Sequence, residues 1–495
     1  MSVIALLILF PLFMIILLLF VGNRNIAGFI SIAASFILLI ISVYLFFLVE
    51  KYGVITLQAG GWKAPFGISL VLDYFSAILL NISSLIVFAI SIYVFRINKR
   101  VSYKAKFYIF FFSIIMGVNG AFITGDVFNL FVWFEVILLS SFVLITLGSK
   151  KVQLEGGIKY MALNLIGSLL FLAGLGLLYG KTGTLNMAHL ALILRGDNQS
   201  LLMNTSAILF FVAFGLKSAI FPLFFWLPSS YHTTSISVSA LFAGLLTKVG
   251  VYALIRFFTL FFVQDQAFWH NLLLVLAGFT MMIGGMAASA HYDTRRILSY
   301  HIISQIGYMV MGLGIFTPLA IAGAIFFIAH NMIAKTNAFL IAGLINKLKG
   351  SYDLKNVGGL LKDKPILAIL FIIPAFALAG IPPLSGFFAK FILIKAAIQD
   401  HHYIIIAVAI ITSMLTLYSM LKIWNEAFLK KQPETIQNKQ TAKLKFGDLF
   451  PSVLLALASV FMGIFAAQFF DFTMNAANQL VNPENYIRTI LNPLE

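Results

Sequence analysis

Long apolar runs separated by short polar breaks dominate the chain. Val3 to Val21 and Ile26 to Val49 contain no charged side chain. Such runs match a hydrocarbon core about 30 Å thick. In lipid only helices and closed barrels satisfy their own backbone groups. These runs do not alternate polar and apolar residues, so helices are expected and a barrel is excluded. The pattern predicts an all-α polytopic membrane protein of about fourteen spans. They fall near 3–21, 26–49, 70–95, 106–125, 127–147, 158–179, 204–228, 235–263, 267–290, 294–314, 318–346, 365–398, 402–428 and 448–470. The first run has an uncharged start and no small-residue cleavage site. Arg24 and Asn25 lead straight into a second span, so the run reads as a retained helix and not as a signal peptide.

Between spans, Val54 to Gly67 reads as a short surface hairpin, with Val-Ile-Thr followed by Gly60-Gly61. Lys181 to Ser200 reads as a loop with a short helix. The charged linker Lys430 to Lys445 suits an amphipathic element along the membrane surface.

Two spans carry helix breakers in their interior, at Phe214 to Pro222 and at Leu378 to Gly386, which includes Pro382-Pro383. Proline removes the bond to the carbonyl four residues earlier. This frees Ser218 in span seven, and Leu378 and Ala379 in span twelve. Each break adjoins a lysine, Lys217 or Lys390. The breaks are five helices apart, an odd offset that reverses orientation, so spans four to eight and nine to thirteen form a candidate inverted repeat. The resulting division is 1–105 for spans one to three with the hairpin, 106–263 and 267–428 for the two repeats, 429–447 for a cytoplasmic linker, and 448–495 for the last span and an external tail.

Composition agrees with a membrane protein. The chain of 495 residues is 61% hydrophobic and only 10% charged, where soluble domains carry roughly a quarter charged residues. The net charge of +16 would suit a nucleic-acid binder, but its distribution points elsewhere. One set of alternate loops holds Arg24, Arg96, Lys99, Arg100, Lys104, Lys106, Lys150, Lys151, Arg295, Arg296, Lys347, Lys349, Lys355, Lys362, Lys364, Lys430, Lys431, Lys439, Lys443 and Lys445. The other set holds Lys51, Lys63, Lys181, Arg195 and Arg488. This asymmetry places the first set inside and both termini outside. Cysteine is absent, so no disulfide, thiolate metal ligand or iron–sulfur cluster is available. No Gly-rich nucleotide loop follows a strand and no HExxH occurs. On these grounds a self-contained redox enzyme or ATPase is not expected, nor is a cofactor.

A charge at mid-membrane costs several kcal/mol, about 2.5–3.5 on insertion scales, and is a functional candidate by default. Glu135 lies mid-span with Phe131, Leu138, Leu139 and Phe142 on its face. Its partner must come from another helix, and Lys217 is the natural one. The pair serves either as a structural tie or as a proton-transfer couple. Lys248 lies more than ten residues from either end of its predicted span, too deep to snorkel. His330 and Lys335 share span eleven roughly 140° apart, flanked by Asn331 and Asn337. His301, Gln305 and Tyr308 form a polar ladder at helical spacing that suits either water or packing. Lys390 follows the second break. Arg256, Lys395, Lys422 and Glu426 lie nearer span ends and are expected to snorkel; Asp73 is expected at the interface. Sodium prefers hard oxygen ligands. One deep carboxylate, four deep lysines and a histidine make a poor sodium site and a plausible proton wire.

Several segments carry a family resemblance. They are Gly60-Gly-Trp-Lys-Ala-Pro-Phe-Gly-Ile68, Phe134-Glu135, Gly215-Leu-Lys217-Ser-Ala-Ile-Phe-Pro-Leu-Phe-Phe-Trp-Leu-Pro228, Leu246-Thr-Lys248-Val-Gly-Val-Tyr252, His301-Ile-Ile-Ser-Gln-Ile-Gly-Tyr308 and Gly380-Ile-Pro-Pro-Leu-Ser-Gly-Phe-Phe-Ala-Lys390. Together they resemble the antiporter-like subunits of respiratory complex I, and more closely the D subunits of multisubunit Mrp-type sodium/proton antiporters. The resemblance covers nearly the whole chain. It implies a proton-transfer pair at Glu135 and Lys217, a middle lysine at Lys248, polar groups of span eleven at His330 and Lys335, and a terminal lysine at Lys390. It also implies a hetero-oligomer with other membrane subunits in the bacterial plasma membrane, with Na⁺ or K⁺ moving through those partners. The terminal lysine and the Gly-Gly-Trp segment favour the antiporter D subunit. The alternative is a proton-pumping subunit of an NADH:quinone oxidoreductase or a related membrane hydrogenase.

Overall fold

The computed structural model describes residues 2–97, 106–195, 201–433 and 444–492. The expected internal cations Lys99, Arg100, Lys104, Lys439 and Lys443 lie outside the described residues, as do the end of the 181–200 loop and most of the linker.

The chain starts with two helices, α1 (Leu6–Phe20) and α2 (Arg24–Tyr52), then strands β1 (Ile55–Gln58) and β2 (Ser69–Leu72). Next come α3 (Tyr74–Ile97), α4 (Lys106–Ile123), α5 (Val127–Thr146), α6 (Lys151–Thr182) and the short α7 (Met187–Arg195). The middle holds α8 (Leu201–Ser218), α9 (Trp226–Tyr231), α10 (Ile236–Gly244), α11 (Leu246–Leu260), α12 (Gln266–Ala290), α13 (Thr294–Ile315) and α14 (Pro318–Lys349). The last part is α15 (Leu360–Asp363), α16 (Pro365–Ala379), α17 (Ser385–Gln399), α18 (Tyr403–Trp424), α19 (Phe446–Ile464), α20 (Ala466–Val481) and α21 (Glu484–Leu491).

Among the described residues, twelve helical segments are long and apolar enough to cross a membrane, and the chain is an α-helical multi-pass membrane protein. Two expected spans fall outside that criterion. Over 22 residues α13 is long enough, but Arg295, Arg296, His301 and Gln305 lower its apolarity. Span twelve is split into α16 and α17, each of 15 residues.

Helix α14 is the axis. Thr317 accepts a hydrogen bond from the Ala320 amide, Pro318 supplies a preset first turn, and Gly350 closes the helix in the left-handed region. Its apolar window is 94% buried, because α3, α10, α13, α16, α17, α19 and α20 surround it. Peripheral α1, α2 and α18 are only 28–33% buried and present Phe13, Phe29, Phe47 and Met414 outward. With no water to exclude, such a face suits lipid chains.

The hairpin exists, but its second strand is Ser69–Leu72, paired antiparallel with β1. Span three therefore begins at Tyr74, not 70. The β-favouring Ser-Leu-Val-Leu pairs with β1 instead of extending the helix. The short helix expected in the 181–200 loop is α7. The last span also differs. Helix α19 bends at Phe465 and continues as α20 to Val481, packed on α14 and α3. At one end of the bundle Gln58 donates to the Ile490 carbonyl at 3.2 Å and Asn186 to Ser69 at 3.0 Å. These bonds join the hairpin, α7 and α21 into one cap. At the other end Lys347 pairs with Asp448 and Lys349 with Asp363, at 2.7 and 2.8 Å.

Candidate proton-transfer site

Span seven ends its first half at Ser218, and a non-helical stretch leads to α9. Lys217 thus occupies the last turn of a half-helix, where the macrodipole favours a cation. Its ammonium donates to Ser168 Oγ of α6 at 3.1 Å and lies 4.9 Å from the centre of the Phe134 ring. The expected contact with carbonyls freed by Pro222 is not made. Two residues before the Ser218 carbonyl that Pro222 frees, the Leu216 carbonyl accepts from the Ala219 amide at 3.1 Å and from the Trp226 indole N–H at 2.8 Å. A small cavity of about 20 Å³ beside Lys217 is lined by Tyr160, Asn164 and Trp226, room for about one water molecule.

Glu135 lies within electrostatic reach of Lys217 but not within 4 Å. Its side chain is half-buried, and Oε1 has no protein partner. Phe128, Val132 and Leu139 on neighbouring turns face outward. The couple expected from sequence is therefore open in this structure.

Gly250 carries α11 against the end of α8. A Cβ there would stand 2.8 Å from the Ser218 amide nitrogen. This approach brings span eight close to Lys217. Span eight was expected to be continuous, yet it is broken at Leu245 into α10 and α11. No proline marks this break. Instead Lys248 turns back and donates to the Ala243 carbonyl at 2.5 Å, at the C-terminal end of α10.

Lys390 uses the same device at the second proline break. It donates to the carbonyls of Leu378 and Ala379, both at 3.0 Å, and to Ser413 Oγ at 2.9 Å. These are the two carbonyls that the Pro382-Pro383 pair was expected to free. Lys248 and Lys390 thus donate to carbonyls at the C-terminal ends of two half-helices, and Lys217 sits in the last turn of a third, where unpaired carbonyls carry partial negative charge.

Between Lys248 and Lys390 lies Lys335, fully buried on α14 and within electrostatic reach of both. Its ammonium has no protein partner, and neither do the side-chain amides of Asn331 and Asn337 or the Thr247 hydroxyl. Buried polar groups are almost always hydrogen-bonded, so this stretch is where water must serve. His330 sits one step nearer Lys390. Its Nδ1 is 2.8 Å from Ser385 Oγ, and Gly386 lets α17 come close, since a Cβ there would be 2.8 Å from His330 Nε2. The structure therefore brings Lys248, Lys335, His330 and Lys390 into one buried file, with Glu135 and Lys217 at its other end.

Residue-by-residue reading missed two features. Ser168, Ser385 and Ser413 hold Lys217, His330 and Lys390, but lone serines in apolar helices give no signal. Asp73 and Arg256 were expected at interfaces. They form a buried ion pair at 2.6 Å, and the snorkelling expectation for Arg256 is corrected. Asp73 also accepts from the Ser76 amide and hydroxyl, and Arg256 donates to Tyr252 OH at 3.2 Å. The cation finds every ligand inside, so it has no reason to reach for water. Lys422 lies at a span end as expected, held by the Ser289 and His291 carbonyls at 2.6 and 2.7 Å.

Residues 124–416 match the family model described as NADH:quinone oxidoreductase/Mrp antiporter, TM. That stretch contains the whole file from Glu135 to Lys390. The chain belongs to this family. A protein named as the D subunit of a Na(+)/H(+) antiporter, from Alkalihalophilus pseudofirmus, is 46% identical, with 96% of each chain covered. Its namesake from Bacillus subtilis is 40% identical, with 98% of each covered. A chain in a structure of the Mrp complex from a Dietzia species superimposes with a TM-score of 0.92 at 30% identity, over 99% of this chain and 100% of that one. The family places the chain among membrane antiporter subunits, which are transporters and not self-contained enzymes.

Proposed function

We propose that this chain is the proton-translocating D subunit of a multisubunit Na⁺(or K⁺)/H⁺ antiporter in the bacterial plasma membrane, working with other membrane subunits. The names of the relatives support that reading. The observation that carries the mechanism is the buried file itself. Lys217, Lys248, Lys335 and Lys390 are at most 6% exposed, and among the described residues none has a carboxylate within 4 Å. Amines held by carbonyls, hydroxyls and water can pass protons; they offer no oxygen cage for sodium.

In this reading a proton entering near Glu135 changes its attraction for Lys217. Lys217 then repels or relaxes the charge on Lys248, and the change passes through Lys335 and His330 to Lys390. Each step moves a proton between groups of similar environment, so no single step must carry a bare charge through hydrocarbon.

Lys390→Ala in the assembled complex tests the terminal step. Cation-driven proton movement in inside-out vesicles should fall to background, with assembly near normal. Full retained antiport would remove Lys390 from the path.

The same proposal includes the finer architecture. Counting α13 and the α16–α17 pair as crossings gives fourteen spans, and the breaks in α8–α9 and α16–α17 mark the two inverted repeats. Lys362→Cys should then react with an impermeant maleimide from the inside only. Fast labelling from outside would refute the count.

A further inference from the structure

The polar ladder on α13 has no part in the file described above, yet it is matched rung for rung by α18. His301 Nε2 lies 2.7 Å from Ser419 Oγ, and Gln305 Nε2 donates to Thr416 Oγ1 at 3.4 Å. Tyr308 OH is 2.8 Å from Ser413 Oγ, and that same hydroxyl accepts from Lys390 at 2.9 Å. Ser413, Thr416, Ser419 and Lys422 recur every third residue on α18. Two antiparallel helices therefore present facing polar stripes that end on Lys390.

The rungs are not self-contained. His301 Nδ1, Gln305 Oε1 and Ser304 Oγ are buried and have no protein partner. A seam serving packing alone would pair these groups or replace them with apolar ones, because each unpaired buried group costs about 1–3 kcal/mol. His301 to Tyr308 spans seven residues, about 10 Å along the helix. His301 lies seven residues from the start of α13, the end that carries Arg295 and Arg296. The seam thus runs from mid-membrane toward the basic, cytoplasmic end.

We propose that the α13–α18 seam is a hydrated proton connection between Lys390 and the cytoplasmic face. Serine and tyrosine hydroxyls both donate and accept. The Lys390 ammonium gives a proton to Ser413 Oγ as Ser413 releases its own to water, while Tyr308 OH stays donated to the Ala409 carbonyl. Water between the orphan atoms of Gln305, Ser304 and His301 carries the proton on, and His301 hands it to the inner end. One proton leaves, Lys390 becomes neutral, and each intermediate group ends as it began. Lys390 is then not a dead end facing outward but a group with cytoplasmic access. This inference rests on the proposed proton-transfer role of Lys390.

The absence of native cysteine allows a test on the resting assembled complex that does not depend on transport. Ser413→Cys and Ser419→Cys are exposed to silver ion in inside-out and right-side-out vesicles. Reacted thiol is read as protection from later maleimide, by the mass of this chain. Both positions should react at least tenfold faster from the cytoplasmic side. Adding Thr416→Leu should slow Ser413→Cys at least tenfold and leave Ser419→Cys unchanged. Reaction of Ser413→Cys from outside only, from neither side, or undiminished by the Thr416→Leu plug would each overturn the seam. Thr416→Val, which keeps shape and loses only the hydroxyl, should lower antiport several-fold. Normal antiport in that variant also counts against the route. Loss of antiport in Lys390→Ala leaves these labelling results in place, so the seam and the function of Lys390 fail separately.

Discussion

Two couples of opposite charge lie inside this molecule, and they are built in opposite ways. Arg256 and Asp73 are closed at 2.6 Å, with Ser76 and Tyr252 filling the remaining hydrogen-bond positions. Glu135 and Lys217 are apart, with Oε1 of the glutamate unpartnered and the lysine held by one serine. A buried charge is tolerated when every donor and acceptor is satisfied. The first couple meets that condition and reads as a fixed tie between α3 and α11. The second does not, and its surplus of unsatisfied groups is what a moving charge requires. On the proposed function, the contrast assigns the complete pair to structure and the incomplete pair to transport.

The strongest way to break the contrast is through the open couple. Glu135→Ala and Lys217→Ala should each reduce antiport more than tenfold at matched assembly, and the double variant should be little worse than either. Residues acting as one unit give such non-additive cycles. The measurement is proton-coupled cation movement in vesicles. Independent losses that multiply would show two separate roles, and near-normal transport in either single variant would remove the couple from the mechanism.

The closed couple should respond in the opposite sense. Asp73→Ala strands a buried guanidinium and should cost about 3–5 kcal/mol, as for other broken buried pairs. It is measured as a lower melting temperature of the solubilised complex and less assembled protein. Asp73→Leu with Arg256→Met should recover most of that loss, and antiport per assembled complex should stay within about twofold of the parent. Recovery of stability without recovery of transport would place the pair in the path after all.

Much of this was legible in the sequence, for reasons that differ by residue. The spans follow from apolar runs, and the break at Pro382-Pro383 follows from two missing amides. The structure sends the Lys390 ammonium to the very carbonyls those amides would have used. The break in span eight was not legible, since Leu245 is an ordinary helix former and the cause is a lysine reaching back to Ala243. The Asp73–Arg256 tie was not legible either. The two residues are 183 apart in the chain, and each lies near a span end, where the local rule predicts snorkelling. Only packing of α3 on its neighbours brings them together. Beside Lys217 the proline argument predicted the wrong acceptor, because it counts freed backbone carbonyls and not hydroxyls on neighbouring helices such as Ser168, to which the ammonium donates.

The carbonyl just before Lys217 yields the smallest and most discriminating test. The Trp226 indole takes the Leu216 carbonyl at 2.8 Å, and Trp226 and Lys217 line the same cavity. The indole fills one acceptor position of that carbonyl, and the Ala219 amide fills the other at 3.1 Å. Trp226→Phe keeps most of the ring volume and removes only the N–H. The acceptor position that the indole leaves is then offered to the ammonium, which gains an anchor like those of Lys248 and Lys390. One added hydrogen bond is worth about 0.5–1.5 kcal/mol net, so antiport should fall between about twofold and tenfold. Assembly should change little, because the carbonyl finds a new partner. In a Lys217→Ala background the same substitution should do nothing further. A drop of equal size in that background would mean that Trp226 acts through packing, and the looseness of Lys217 would need another cause.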